Sequence, residues 1–263
     1  MTTKNILRAA LISSAALLIC VAANGQKKNQ KIDVAQALSG YFTPATDQVA
    51  TPDSKGFIRR WLLLEPISKP NRSNTVFVDS YLREVFSQEP YEGMFTTLPV
   101  DGQKVKVMTE VQAPVNLTGG RPMMPMAPQE PKFEKTTLVW RALDSKLFNV
   151  KIFRYATNLD KTRYGVIFEA YTVIECDEDI ENVRLSVGSN SASMWWLDGE
   201  EVLIMSGDRR MVADDCCSKR LTLKKGRNIL RGSIINGPGM SDFCVRFIDE
   251  DGNPVKNLKI STK

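Results

Sequence analysis

Histidine is absent from all 263 residues of the sequence. A serine nucleophile ordinarily needs an imidazole to take up its proton and return it to the leaving group, and most hydrolytic metal sites hold their ion through imidazole nitrogens. The nucleophile elbow Gly-x-Ser-x-Gly is also missing. We therefore expect neither a hydrolytic triad nor a usual catalytic metal site in this chain, and no cofactor.

Several other sequence features are missing or scarce. The net charge of +5 is spread along the chain, without a basic block interleaved with aromatic residues, so we expect no nucleic-acid partner. There is no Cys-x-x-Cys pair, which argues against a zinc site. We find no repeat of fixed period and no pattern typical of a long amphipathic helix.

The first twenty-five residues have the pattern of a signal peptide. Lys4 and Arg8 precede an apolar run over 9–23, and small residues follow at the end of that run. The run is too short to span a bilayer comfortably, so a retained anchor is the weaker alternative. The sequence thus predicts a signal peptide over 1–25, export to the periplasm, cell surface or extracellular space, and no transmembrane span after processing.

Four cysteines follow the predicted signal peptide, and an oxidising compartment permits disulfides among them. These candidates are Cys176, Cys216, Cys217 and Cys244. The adjacent pair Cys216 and Cys217 is poorly placed to bond internally, because that geometry is strained. One bridge from this pair to Cys244 or Cys176 is the expectation, with the connectivity left open.

The remaining chain is patterned as short strands. Residues 26–55 are polar and interrupted by prolines, which predicts an N-terminal arm, and 56–263 is predicted as the sandwich domain. The strands expected in its first half are 57–64, 75–78, 104–111, 136–140, 149–155 and 164–175. The interval 112–132 is rich in proline and methionine, so it is predicted as an exposed loop insertion, with a methionine-rich contact surface as the alternative.

The second half carries clearer periodicity. Val183, Leu185 and Val187 alternate with polar residues, as in a strand with one wet face. Asp198-Gly199 is a strong signal for a two-residue hairpin turn between strands at 193–197 and 201–205. Further strands are expected near 221–223, 228–234, 243–247 and 255–260. Together these patterns predict an all-β sandwich.

Three segments carry a resemblance to a known fold family. Residues 188–199 read Gly-Ser-Asn-Ser-Ala-Ser-Met-Trp-Trp-Leu-Asp-Gly, 221–228 read Leu-Thr-Leu-Lys-Lys-Gly-Arg-Asn, and 61–67 read Trp-Leu-Leu-Leu-Glu-Pro-Ile. With the aromatic strand at 239–247, they resemble the galactose-binding-like and protective-antigen-like jelly-roll modules of bacterial polysaccharide-utilisation systems. The resemblance covers roughly 56–260 and implies a jelly-roll β-sandwich. Calcium-dependent sugar-binding members carry paired aspartates where this chain has residues 189–193, and because this chain departs from that pattern we expect no metal here.

The predicted export signal, this resemblance and the missing imidazole together lead us to expect a secreted, non-catalytic carbohydrate-binding or accessory module that acts in polysaccharide utilisation, whose partner is a plant-type polysaccharide or oligosaccharide. Closely similar secreted proteins are often labelled acetylxylan esterases, so a carbohydrate esterase is the first alternative. A structural envelope protein that binds other envelope proteins or glycan-degrading enzymes is the second.

Candidate ligand-binding residues combine an aromatic ring that stacks on a sugar with side chains that hydrogen-bond its hydroxyl groups. If Trp195 and Leu197 face the core, Trp196 points the other way, either exposed or packed under a loop. The candidates are Trp196, Asp208, Arg209, Arg210, Asp242, Asn71 and Arg72. The alternative for the polar loops is ordinary solvation and turn formation.

Overall fold

The computed structural model describes residues 32–71, 74–112, 116–118, 121–123, 130–237 and 239–263. The predicted signal peptide at 1–25 lies outside these ranges, as does the first part of the predicted arm. Val34–Lys263 forms one compact unit. No helix within the described ranges is long and apolar enough to cross a membrane.

Short antiparallel strands make up most of this unit. The strands are β1 (Phe42–Pro44), β2 (Arg60–Leu64), β3 (Ile67–Ser68), β4 (Lys104–Glu110), β5 (Asn116–Thr118), β6 (Arg121–Met123), β7 (Phe133–Ser145), β8 (Val166–Cys176), β9 (Ile180–Asn190), β10 (Ala192–Leu197), β11 (Glu200–Met205), β12 (Cys216–Cys217), β13 (Leu221–Leu223), β14 (Gly226–Asn236), β15 (Asp242–Ile248) and β16 (Lys259–Ser261). The helices are α1 (Val34–Leu38), α2 (Asp79–Phe86) and α3 (Ile152–Asn158), with a 3₁₀ turn at Asn74–Val76.

Two sheets pack face to face. The larger sheet has the order β1-β7-β2-β8-β14-β10-β11, with β4 beside β7 and with β3 and β16 beside β8. In the smaller sheet, β15 and β12 both pair with residues 186–187 of β9 and therefore flank it on opposite sides, while β13 pairs with the start of β9. The predicted all-β sandwich is confirmed.

Aromatic rings from both sheets meet in the core between them. The centroid of the Trp61 ring lies 6.0 Å from that of Trp195 and 5.0 Å from that of Phe243. Gly232 lies opposite Trp195 on β14, and a Cβ atom there would come within 2.3 Å of the indole ring. The tryptophan therefore fits only because its cross-strand neighbour has no side chain.

A second apolar cluster covers the outer face of the larger sheet. Leu82 and Phe86 of α2, followed by Met94 in the next loop, pack over Trp140 and Met194 of the sheet. The outward-facing side of β10 is thus covered rather than open to solvent. Trp196, predicted to stack on a sugar, lies on this covered side.

The described part of the predicted N-terminal arm belongs to the sandwich. β1 pairs with residues 143–145 of β7, and Leu38 and Phe42 are buried in the central core. β1 therefore extends the larger sheet, and the described part of this segment does not stand apart as an arm. The sequence did not predict this pairing, because the segment is mostly polar and only a few of its side chains face the core.

Two predicted strands are not strands. The segment 75–78 overlaps a 3₁₀ turn, and 149–155 leads into helix α3. In α3 the buried residues are Ile152, Tyr155 and Ala156. Residues three and four positions apart lie on the same face of a helix, whereas a strand would bury every second residue. In the proline- and methionine-rich insertion, β5 and β6 form a two-stranded hairpin, and its other residues from 113 to 129 lie outside the described part.

The four cysteines after residue 25 are free thiols, so the expected disulfide does not form in this structure. Cys216 pairs with Val187, and Cys244 pairs with Gly188 on the other side of β9. Two strand spacings separate them by about 10 Å, beyond the roughly 7 Å that a disulfide can bridge between Cα atoms.

Candidate functional site

Four loops emerge at one end of the sandwich, because the strands that carry them begin or end in register. The start of β8 at Val166 pairs with the end of β14 at Asn236, and Ser193 near the start of β10 pairs with Met205 at the end of β11. The described residues of these four loops, which we call the rim, are 69–71 with 74–78, 161–165, 206–211, and 237 with 239–241.

Backbone hydrogen bonds join the rim loops to one another. The Lys69 amide donates to the Gly165 carbonyl oxygen at 2.8 Å, and the Gly165 amide donates to the Gly237 carbonyl oxygen at 3.5 Å. The Gly207 amide donates to the Phe77 carbonyl oxygen at 2.7 Å. The loops therefore support one another instead of extending separately into solvent.

Asn74 links two of these loops through its side chain. Its Nδ2 donates to Oδ1 of Asp208 at 2.7 Å. Its Oδ1 is buried and accepts no hydrogen bond from the described residues. This oxygen lies so close to Gly237 that a Cβ atom on that glycine would be only 2.3 Å from it. The amide is thus fixed in orientation, and it holds an exposed carboxylate beside it.

Asn71 is oriented by two hydrogen bonds. The Tyr81 hydroxyl donates to its Oδ1 at 3.0 Å, and its Nδ2 donates to the Lys69 carbonyl oxygen at 2.6 Å. Burial raises the pKa of Tyr81, and the charges of Glu110 and Glu84 raise it further. The tyrosine hydroxyl therefore stays protonated at neutral pH and keeps its role as donor.

Tyr164 brings an exposed aromatic ring to the rim. Its side chain is 43% exposed, with the Phe153 ring 5.7 Å away and the Arg163 guanidinium 5.3 Å from the ring centroid. Gln112 Nε2 donates to the Tyr164 carbonyl oxygen at 2.6 Å, and Asn236 Nδ2 donates to that of Arg163 at 2.8 Å. These amides fix the backbone that presents the ring.

The rim thus combines an exposed phenol ring, oriented amides and a carboxylate within linked loops. An aromatic face covers the apolar face of a sugar ring, while amide and carboxylate groups hydrogen-bond hydroxyl groups. These groups are chemically suited to recognition of a polyhydroxylated ligand.

Some of the sequence-predicted site residues lie on the rim. Asn71 and Asp208 are part of it, and Arg210 is exposed in the same loop as Asp208. Arg209 lies in that loop too, and its guanidinium is engaged in an ion pair, with Nη2 2.6 Å from Oδ2 of Asp215. Arg72 lies outside the described residues.

The other two predicted site residues, Trp196 and Asp242, contact neighbouring side chains of the protein and are not part of the rim. Trp196 is half-buried beneath α2, with the Arg231 guanidinium 3.7 Å from its ring centroid and Phe86 in edge contact. Asp242 is only 5% exposed and accepts hydrogen bonds from Lys151 Nζ at 2.6 Å and Asn149 Nδ2 at 2.8 Å. Of the alternatives stated for Trp196, the structure shows the packed one.

Asn74, Gln112 and Tyr164 were not among the residues predicted from the sequence. Asn74 lies in a segment rich in turn-forming residues, which was the one available signal. Tyr164 directly precedes a buried strand, and its exposure depends on contacts with residues 112, 153 and 236, which sequence spacing does not reveal.

The fold defines this chain as an all-β sandwich protein. No protein-family model matches the sequence, and no curated protein matches it. Among solved structures it is similar to the PA14 sugar-binding domain from an RTX adhesin, at 8% identity and a TM-score of 0.38, over 76% of this chain and 96% of that chain. It is also similar to the PA14 domain of the MpAFP antifreeze protein, at 10% identity and a TM-score of 0.36, over 82% of this chain and 96% of that one.

A third similar structure is a β-glucosidase from Kluyveromyces marxianus, at 19% identity and a TM-score of 0.29. The match covers 48% of this chain and 15% of that chain. The match therefore spans about half of this chain and a small part of that enzyme's length.

Proposed function

We propose that this chain is an exported, non-catalytic carbohydrate-binding module that acts in polysaccharide utilisation, and that the rim is its glycan-binding site. The observation that carries the proposal is the exposed Tyr164 ring on a loop whose next residue, Gly165, lies against the backbone of Asn71, whose side-chain amide is held by Tyr81. Plant-type polysaccharides or oligosaccharides are its ligands in this proposal.

Preorganisation supports binding at the rim. The side chains of Asn71 and Asn74 are already held by Tyr81 and Asp208, so a ligand does not have to order them. Immobilising a side chain costs about 0.5–1.5 kcal/mol at an interface, and that cost is avoided when the protein has fixed the group beforehand. Loops that are hydrogen-bonded to one another reduce the ordering cost in the same way.

Calorimetric titration with xylan, pectin and mannan oligosaccharides tests this proposal. We expect at least one glycan to bind the wild type, and Tyr164→Ala to weaken that binding about tenfold, since an aromatic contact contributes on the order of 1 kcal/mol beyond the apolar area it buries. Phe148→Ala is the matched control, because Phe148 is similarly exposed at 40% and lies outside the rim. We expect it to bind like the wild type.

Absence of heat with every glycan would contradict the binding site, as would equal losses in the two variants. Thermal unfolding of each variant shows whether a loss reflects the site or the fold. The non-catalytic part of the proposal is tested by incubating the purified chain with acetylated xylan. Release of acetate at an enzymatic rate would favour a carbohydrate esterase instead.

A further inference from the structure

A concave site lies near the opposite end of the sandwich from the rim. It is an open pocket of about 280 Å³, and the lining residues that matter here are Thr43, Thr51, Arg59, Arg60, Asp144 and Lys146. Ile260 also lines it and pairs with Ile174 of β8, whereas the rim lies at the Val166 end of that strand. Val166 and Ile174 are eight residues apart along β8, and a strand rises about 3.3 Å per residue, so the pocket lies roughly 26 Å from the rim.

Strand register brings the pocket's polar residues together. Asp144 of β7 is paired with Thr43 of β1 on one side and with Arg60 of β2 on the other. Residues directly opposite each other in antiparallel strands project from the same face of the sheet. The three side chains therefore form one row across the outer face of the larger sheet.

One ion pair within the pocket is already satisfied. Arg60 donates from Nε to Oδ1 of Asp144 and from Nη2 to Oδ2, each at 2.8 Å, and its Nη1 donates to the Gln48 carbonyl oxygen. Bidentate pairing of this kind is strong and geometrically specific. The single carboxylate that lines the pocket is therefore neutralised by Arg60.

Two further cations line the pocket without an acidic partner among the described residues. The Arg59 side chain is exposed, and it forms no ion pair or hydrogen bond with them. Lys146 Nζ donates to the Ser39 carbonyl oxygen at 2.6 Å, which leaves its positive charge uncompensated. The pocket therefore carries a surplus of two positive charges, beside the hydroxyl groups of Thr43 and Thr51.

We propose that this pocket binds the anionic group of a single acidic sugar residue, either the carboxylate of a hexuronic acid or a sulfate ester. Arg59 and Lys146 pair with the anion, and the threonine hydroxyl groups hydrogen-bond the sugar hydroxyls. The volume lies at the lower limit of the range of about 300–1,000 Å³ for small-molecule sites, so one sugar residue fits better than a chain. The rim plays no part in this binding.

Titration with D-galacturonic acid, glucose 6-sulfate, neutral galactose, sodium acetate and sodium sulfate tests the pocket. We expect one of the two acidic sugars to bind at least tenfold more tightly than galactose and than its own free anion, and the comparison of the two identifies the anionic group. The double variant Arg59→Gln/Lys146→Gln should lose at least tenfold in affinity. Lys104→Gln/Lys106→Gln removes the same charge from the exposed face of β4 and should bind like the wild type.

Several results would overturn the proposal. These are no binding of either acidic sugar, equal losses in the two double variants, and binding of free acetate or sulfate as tight as that of the corresponding sugar. Tyr164→Ala should leave the affinity for the acidic sugar unchanged. The neutral mannan and unsubstituted xylan oligosaccharides report on the rim alone, whereas pectin oligosaccharides carry galacturonic acid and can also reach the pocket. Failure of one site is therefore distinguishable from failure of the other with the neutral oligosaccharides.

Discussion

Glu169 is a buried carboxyl group on the outer face of the larger sheet. It is 3% exposed, and the Ser233 hydroxyl donates to its Oε2 at 2.7 Å. Burial raises its pKa from an ordinary value of 4.5 to about 7, against the opposing effects of the Arg231 charge and the Ser233 hydrogen bond. Desolvation of the ionised form therefore outweighs both favourable contacts.

This pKa makes the stability of the protein depend on pH. Between about pH 4.5 and pH 7 the folded state keeps the Glu169 proton while the unfolded state releases it, so the free energy of unfolding falls as pH rises through this window. The contribution is on the order of 3 kcal/mol. We expect Glu169→Gln to remove this part of the pH dependence in urea unfolding at pH 5, 6, 7 and 8.

Glu134→Gln is the control for that measurement, because Glu134 is exposed on β7. It should retain the wild-type slope of unfolding free energy against pH. If Glu169→Gln and the wild type show parallel curves, burial does not govern the ionisation of Glu169.

At the scale of elements, local pattern predicted most of the strands. The alternation of Val183, Leu185 and Val187 appears as three buried positions of β9. The Asp198-Gly199 turn joins β10 and β11, and both residues have positive φ, at 52° and 87°. This is the backbone conformation that favours Asp-Gly in a two-residue hairpin, so the prediction rested on a local physical cause.

Elements whose role depends on distant residues were not predicted. Nothing in the sequence near Trp196 indicates that α2, more than a hundred residues earlier, covers it. The Arg231 guanidinium lies 3.7 Å from the centroid of the Trp196 ring and 4.0 Å from that of the Phe95 ring. Arg231 thereby connects the sheet to the segment 79–100 that covers it.

We expect Arg231→Met to loosen this covering segment. The variant loses two cation–π contacts, each of about 0.5–2 kcal/mol, and leaves Glu169 without its nearby positive charge. Amide hydrogen exchange should become faster in residues 79–100 and stay unchanged in β9 and β15. Arg227→Met, an exposed position on the same strand, is the control. Equal protection of 79–100 in the two variants would show that Arg231 does not hold the segment.

At the scale of the whole molecule, packing rather than covalent cross-linking holds the two sheets together. The thiols at 176, 216, 217 and 244 are free, and Cys176 and Cys244 are buried. Burial raises the pKa of Cys244 to about 12, so its thiol is protonated and unreactive in the folded state. Only Cys217 is exposed among the four.

We therefore expect a thiol-reactive dye to label four thiols per chain in urea without prior reduction, using protein that begins after residue 25. In the native protein the fast phase should correspond to Cys217 alone and disappear in Cys217→Ser. A reductant should leave the thermal unfolding midpoint unchanged. Two labelled thiols, or a lower midpoint with reductant, would reveal a disulfide.

The rim is also a property of the whole molecule, which limits how much of it the sequence could predict. Asn71 and Asp208 were candidates because their loops are rich in turn-forming and polar residues. Their loops are joined to the loop of Tyr164, directly or through a neighbouring loop, by strand register and by hydrogen bonds between residues about 70 to 130 positions apart. Asp242 has the same local polarity, yet Lys151 and Asn149 bury its carboxylate.

The central claim is that the rim binds a glycan. It is tested most directly by nuclear magnetic resonance of the side-chain amides during titration with a neutral oligosaccharide that binds in the calorimetric experiment. We expect the NH₂ signals of Asn71, Asn74 and Gln112 to shift together with the backbone amide of Tyr164, and the backbone amides of Thr43 and Lys146 to stay unchanged. Shifts confined to other surfaces, with these four signals unchanged at saturation, would contradict the claim.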